Sequence, residues 1–247
     1  MRLVLKCLAE NSEERQKMKI NLSLKSFSKF EISLWSISTL AVVLSFALTD
    51  EKNWLTLVSS LVGVTALIFV AKGLAFGHLL CLIFAIAYGI VSIKLRYYSE
   101  VITYLGMSAP AALFSLISWI RNPYKDSAVV SVSKMTKKKF YLSLAVTAAV
   151  TAVFFFIMKA INTSELIVST VSILTSCLAS VFSFLRSPYY ALAYAANDIV
   201  LIVLWSIALF TSIAYLPMVV CFVAFLANDT YGFFNWRLIG KSQGNEN

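Results

Sequence analysis

The chain has 247 residues, of which 60% are hydrophobic and 13% charged, with a formal net charge of +9 and a mean hydropathy of +0.81. A soluble domain carries roughly 25% charged residues, so a water-exposed surface cannot be built from this composition. The uncharged runs are long enough to cross a hydrocarbon layer of about 30 Å as helices. Their lack of period-2 alternation excludes a membrane β-barrel.

Residues 1–31 form a basic segment without the apolar core and small-residue site of a cleavable signal. Eight spans follow, predicted at 32–49, 54–71, 73–93, 101–120, 140–158, 166–185, 189–213 and 214–236, and the chain ends in a short tail, 237–247. Of the 21 lysines and arginines, seventeen fall on the side that carries both termini. The positive-inside bias therefore places both termini in the cytoplasm, and it accounts for the net charge without nucleic acid.

Span 1 stands apart as an accessory helix. Leu57-Val58-Ser59-Ser60-Leu61-Val62 in span 2 resembles Ile167-Val168-Ser169-Thr170-Val171-Ser172 in span 6, an offset of 110. Ser118-Trp119-Ile120-Arg121 likewise resembles Asn235-Trp236-Arg237. These matches divide the chain into two three-helix units, 54–120 and 166–236. Span 5 (140–158) is then a linker that restores the orientation of the second unit and makes the repeats parallel, a plan with the substrate site between the repeats. The basic stretch 121–139 reads as a solvated loop beside anionic lipid. His78, the single histidine, reads as a packed residue, Gly73 and Gly77 as a close-packing pair, and Pro110 and Pro217 as helix kinks.

The chemistry lies in the last two spans. Asn197-Asp198 and Asn228-Asp229 sit at matched depth, roughly 12 Å from the terminal face at 1.5 Å per residue. Ionisable groups at such depth face a cavity or a partner. Asparagine offers donors and acceptors to amides, ribose hydroxyls and heterocycle edges. Tyr194 and Tyr231 lie three residues from Asn197 and Asn228 and share their helix faces, and their rings, with Trp236 and Trp119, can stack on a planar heterocycle or attract a cation. The candidate site is therefore Asn197, Asn228, Tyr194, Tyr231, Trp236, Asp198, Asp229 and Trp119. The sequence holds no nucleophile–base set, no phosphate-cradling glycine loop and no His/Cys metal cluster. The four cysteines, Cys7, Cys81, Cys177 and Cys221, show no paired spacing. The reading is of a non-enzymatic membrane transporter for a small polar solute, with no cofactor and no nucleic acid, its partners being the solute and the bilayer.

Asn228-Asp229-Thr230-Tyr231-Gly232-Phe233-Phe234-Asn235-Trp236 resembles the closing signature N-x-x-Y-G-x-x-x-W of the PnuC family of vitamin transporters. Ala196-Asn197-Asp198-Ile199 is similar to that family's penultimate-helix motif, and Ile102-Thr103-Tyr104-Leu105 through Pro110 to Ser118-Trp119 resembles its third core helix. The resemblance covers about 54–238. It implies a SWEET-like three-plus-one-plus-three core preceded by one extra span, in a bacterial cytoplasmic membrane. It also implies uptake of nicotinamide riboside by facilitated diffusion, with trapping by a cytoplasmic kinase; a homo-oligomer is compatible. The chain departs from the family pattern at Ala193, where Trp is frequent, at Phe84, where Asn is frequent, and at Ala112, where Gln is frequent. Thiamine, riboflavin and deoxynucleosides therefore stand as alternative solutes, and a substrate-capture subunit of an ATP-driven importer as an alternative role.

Overall fold

The computed structural model describes residues 27–49, 54–94, 98–125, 127–163 and 165–244. The predicted N-terminal segment before residue 27 and the tail beyond residue 244 lie outside them. Among the described residues, eight helices are long and apolar enough to cross a membrane. They are α1 (Lys29–Ala47), α2 (Trp54–Ala71), α3 (Phe76–Lys94), a composite α4, α5 (Lys137–Ala160), α6 (Leu166–Phe184), α7 (Tyr189–Leu209) and α8 (Leu216–Ser242). Helix α4 starts as Tyr98–Val101, widens into a π-helical stretch at Ile102–Ser108 and continues as Ala109–Ile120. Two isolated β-bridges are present and no strands among the described residues.

Helices α1, α4 and α5 start three residues before the predicted spans and α8 ends six residues later, whereas α3 starts three residues late and α7 ends at Leu209, four residues short. Helix α1 starts at Lys29 because Ser28 caps it: the Ser28 Oγ accepts from the Glu31 N–H (3.2 Å) and the Glu31 carboxylate accepts from the Ser28 N–H (2.6 Å), a reciprocal capping box. Thr136 caps α5 at Lys137 in the same manner, its Oγ1 accepting from the Lys139 N–H. Hydropathy locates the part of a helix that sits in lipid; the cap locates its end. The π stretch has a comparable cause. Pro110 has no N–H to give, and its ring would press on the carbonyl four residues back. The helix widens instead, and the Ala109 N–H reaches back five residues to the Tyr104 carbonyl.

Six helices form a closed ring, in the order α2, α3, α4, α6, α7, α8 and back to α2. Outside it, α1 packs on α2 and α8, and α5 packs on α6. Met158 of α5 is buried with Met107 of α4 and with Ile173 and Cys177 of α6, so each outer helix reaches the seam between the two units.

The loop between α4 and α5, expected to be solvated, is folded across the terminal face. Val130 and Val132 are buried. The Val130 N–H donates to the Gly73 carbonyl, and the Ser133 N–H to the Arg186 carbonyl. The Gln243 side chain, beyond the end of α8, pairs with the Val132 N–H (2.8 Å) and the Val130 carbonyl (3.0 Å). Gly73 makes this closure possible at a φ of +73°, and a Cβ there would stand 3.0 Å from Val129. Gly73→Ala is therefore expected to destabilise the fold by about 1–2 kcal/mol, read as a lowered melting temperature in detergent. Gly240→Ala, which meets Val132 at an ordinary 3.5 Å within a helix, should leave it unchanged or raised.

Candidate functional site

A cavity of about 100 Å³ lies at the centre of the ring. All six ring helices contribute to its wall. Helix α7 presents Tyr194, Asn197, Asp198 and Leu201, and α8 presents Phe222, Phe225 and Asp229. Both sets follow the i, i+3, i+4, i+7 spacing of one helix face. Helix α4 adds Thr103, Tyr104 and Ser108, and α6 adds Ser172 and Ser176. Leu67 and Val70 of α2 and Cys81 and Phe84 of α3 complete the apolar part.

The polar groups are arranged with some of their capacity unused. The Asn197 Oδ1 accepts from the Thr175 hydroxyl (2.9 Å) and from the Ser172 hydroxyl (3.4 Å), which fixes the orientation of the amide. The Tyr194 hydroxyl meets the Ser180 hydroxyl at 3.1 Å. The Asp198 and Asp229 carboxyls interact electrostatically across the α7–α8 contact, and the Asp198 Oδ2 is buried with no donor. Neither lysine nor arginine lines the cavity.

Four of the eight sequence-predicted site residues thus meet at the cavity: Tyr194, Asn197, Asp198 and Asp229. The other four do not line it. Asn228 and Tyr231 fall on the face of α8 turned toward α1, because one residue along a helix rotates the side chain by about 100°. The Asn228 Nδ2 donates to the Ser38 hydroxyl of α1 (3.2 Å) and to the Ala224 carbonyl (2.7 Å). The Tyr231 hydroxyl donates to the Glu31 carboxylate (2.7 Å), which also binds the Lys72 ammonium at 3.1 Å. The two asparagines, matched in depth, do not converge on one chamber.

Trp119 and Trp236 pack against each other at a centroid distance of 4.9 Å, both essentially inaccessible, and close the terminal end of the ring. Their indole N–H groups are committed. Trp236 donates to the Val70 carbonyl and Trp119 to the Ser183 carbonyl, each at 2.9 Å. The preceding residues repeat the pattern: Asn235 Nδ2 donates to the Ala71 carbonyl and the Ser118 hydroxyl to the Phe184 carbonyl, each at 2.8 Å. Each unit's last helix therefore caps the carbonyl end of the other unit's first helix, where orphan acceptors need donors. The equivalence of Ser118-Trp119 with Asn235-Trp236 is structural. It sets the offset between the first helices at 113 (Val70 to Ser183), three residues away from the 110 of the sequence match. His78 packs edge-on against Trp119 at 4.2 Å and bonds the Ser183 hydroxyl. At the opposite end, Tyr88 packs on Tyr104 at 4.3 Å, on Trp205 at 6.1 Å and on Phe222 at 6.0 Å. The cavity is thus held between two aromatic layers.

The sequence reading missed Ser172, Ser176, Ser108 and Tyr104. A signal for the first two was present: Ser169, Ser172, Ser176, Ser180 and Ser183 recur every three or four residues along one face of α6, all buried.

Comparison with known proteins follows the same lines. Residues 53–238 match the family described as nicotinamide mononucleotide transporter. The chain belongs to this family. A nicotinamide riboside transporter PnuC from Neisseria mucosa is 23% identical over 218 residues, covering 86% of this chain and 83% of the relative. Its counterpart from Haemophilus influenzae is 24% identical over 214 residues, covering 86% and 91%. A solved structure, described as the crystal structure of the vitamin B3 transporter PnuC, superposes with a TM-score of 0.77 at 23% identity, covering 88% of this chain and 94% of that one. The fold is the PnuC fold, and the chain is a multi-pass membrane protein of a bacterial transporter family, not an enzyme.

Removing one indole donor costs the hydrogen bond itself, about 0.5–1.5 kcal/mol, because the Val70 carbonyl keeps the Gly73 N–H and the Ser183 carbonyl keeps the Arg186 N–H, each at 2.9 Å. Trp119→Phe and Trp236→Phe are therefore expected to lower the melting temperature in detergent by similar amounts, since the two caps are equivalent. A large effect for one and none for the other would contradict that equivalence.

Proposed function

We propose that this chain carries nicotinamide riboside across the cytoplasmic membrane. The observation that carries the reading is the chemistry of the central cavity: a carboxyl pair, one amide, the His78 imidazole and several hydroxyls among apolar and aromatic walls, without lysine or arginine. The riboside offers a flat cationic pyridinium ring and neutral sugar hydroxyls. The cation suits Asp198 and Asp229 and the faces of Tyr104 and Phe84, and the hydroxyls suit the Asn197 Nδ2, Tyr194 and the α6 serines. The curated relatives named above carry the riboside name. The family description names the mononucleotide, but a phosphate dianion facing two carboxyls and no lysine or arginine is disfavoured.

The same argument supports trapping. Once a cytoplasmic kinase has added phosphate, the product no longer fits a cavity lined by acids, and uptake proceeds without an energy source in the carrier. Facilitated diffusion follows, by rocking of one three-helix unit against the other about a fixed central site. Seventeen of the 21 lysines and arginines on the terminal side support cytoplasmic termini, so solute enters at the Tyr88–Trp205 end and leaves past Trp119 and Trp236.

Calorimetry on the purified chain is expected to give an affinity for nicotinamide riboside at least about 100-fold above that for the mononucleotide, a difference of about 2.7 kcal/mol. Asn197→Ala should weaken riboside binding about tenfold by deleting a ligand donor, and Asn228→Ala should leave affinity near wild type while lowering the melting temperature. Equal binding of riboside and nucleotide would sink the assignment.

Uptake into kinase-free liposomes should stop when internal and external concentrations are equal. Accumulation beyond that point in energised vesicles, abolished by an uncoupler, would replace facilitated diffusion with proton coupling. Silence without partner proteins would favour a binding subunit.

A further inference from the structure

The far end of the ring holds an acid that the central site does not use. Glu100, in the short turn Tyr98–Val101 that opens α4, is 1% exposed, and among the described residues neither of its carboxyl oxygens accepts a hydrogen bond. A carboxyl stripped of water and given no donor is costly to keep. The turn packs on α3, and the Glu100 carboxyl lies within electrostatic range of the Tyr88 and Tyr104 phenols. Tyr104 follows Glu100 by four residues, about one helical turn on, and its ring packs on Tyr88 at 4.3 Å, with Tyr88 in turn edge-on to Trp205 at 6.1 Å. Tyr104 also lines the central cavity, so this cluster and the cavity share a wall. A buried acid without a donor, one turn from an aromatic cluster, has the chemistry of a cation site. The acid also stands directly before the π stretch Ile102–Ser108, and such widened turns recur at functional positions.

We propose that Glu100, with the rings of Tyr88, Tyr104 and Trp205, forms an outer subsite that takes the cationic ring of an incoming solute as the far ends of α3, α4 and α7 part, and passes it across Tyr104 to Asp198 and Asp229. Glu100 is a specificity residue in this scheme. It selects for positive charge before the sugar is read. The proposal rests on the reading of the solute as a cationic riboside, and its test separates the two.

Initial uptake into liposomes is measured for the wild-type chain and E100Q with two solutes of nearly equal shape, cationic nicotinamide riboside and its neutral 1,4-dihydro form. Below saturation, E100Q is expected to slow the cation at least about tenfold and the neutral form less than about twofold. Equal slowing of both means that Glu100 acts on the fold, and no slowing of either means that the acid is not on the path; each result overturns the proposal while leaving the carrier assignment intact. A second measurement needs neither a variant nor transport. Carbodiimide labelling of Glu100 in the wild-type chain, located by peptide mass, should fall at least about threefold with 1-methylnicotinamide cation and stay constant with neutral nicotinamide. Labelling that ignores the cation, or no labelling of Glu100 at all, overturns the subsite. A wild-type chain that takes up neither riboside but is protected by the cation would instead overturn the solute reading and retain the subsite.

Discussion

The architecture depends on a reciprocal exchange of donors at the terminal face. An α-helix ends with carbonyls that nothing in the helix can satisfy, and in lipid-depth surroundings water does not supply the missing donors. Here α2 and α6 end inside the ring, and α8 and α4 each deliver an indole N–H and a second donor to the other unit's first helix. The Val70 and Ser183 carbonyls also accept a backbone N–H from their own unit, Gly73 and Arg186, but the Ala71 and Phe184 carbonyls take their donors across the seam. The two Trp rings then meet at 4.9 Å, and the floor of the cavity is a consequence of helix capping. The folded loop across the same face, held by Gly73 and Gln243, adds a second layer to the closure.

Helix α1 enters through the same kind of need. The Glu31 carboxylate serves the start of its own helix, the Lys72 ammonium at the end of α2 and the Tyr231 hydroxyl on α8, and Ser38 takes a donor from Asn228. One helix outside the ring therefore bonds to both units at their seam. Helix α5 occupies the corresponding seam with apolar contacts around Met158. The accessory and linker helices of the sequence reading hold related positions, but α1 is fastened by polar groups that the cavity does without.

The number of helices, their membrane character and the division into two units were legible in the sequence because lipid forces long uncharged runs and the caps force a repeated Trp. Which polar residues reach the cavity was only half legible. On α7 the pair Asn197-Asp198 straddles the inward face, and both side chains line the cavity. On α8 the same dipeptide, Asn228-Asp229, is rotated so that Asp229 faces inward and Asn228 faces α1. Depth was readable from the 1.5 Å rise, but azimuth depends on which neighbour supplies the partner, and Ser38 and Glu31 lie nearly two hundred residues away. The serine stripe of α6 carries azimuth within itself, since its spacing of three and four marks one face. That makes it a better guide to the cavity than the more conspicuous Asn-Asp pairs.

The two ends of the cavity are closed by different forces, and this bears on how the carrier moves. At the terminal end, four side-chain donors hold backbone carbonyls at 2.8–2.9 Å. At the far end, Tyr88, Tyr104, Trp205 and Phe222 close the ring through ring contacts, which are short-ranged and individually weak. Parting rings that can meet a ligand's ring in exchange costs less than uncapping two helix ends at once. The π stretch in α4 lies at that same far end, where an extra residue in the turn lets the backbone shift register without losing its bonds. A solute that replaces the ring contacts it disrupts lowers the cost of opening, so the aromatic end is the easier of the two to part. An opening at the terminal end would have to replace four side-chain donors at once, beneath a loop folded across that face.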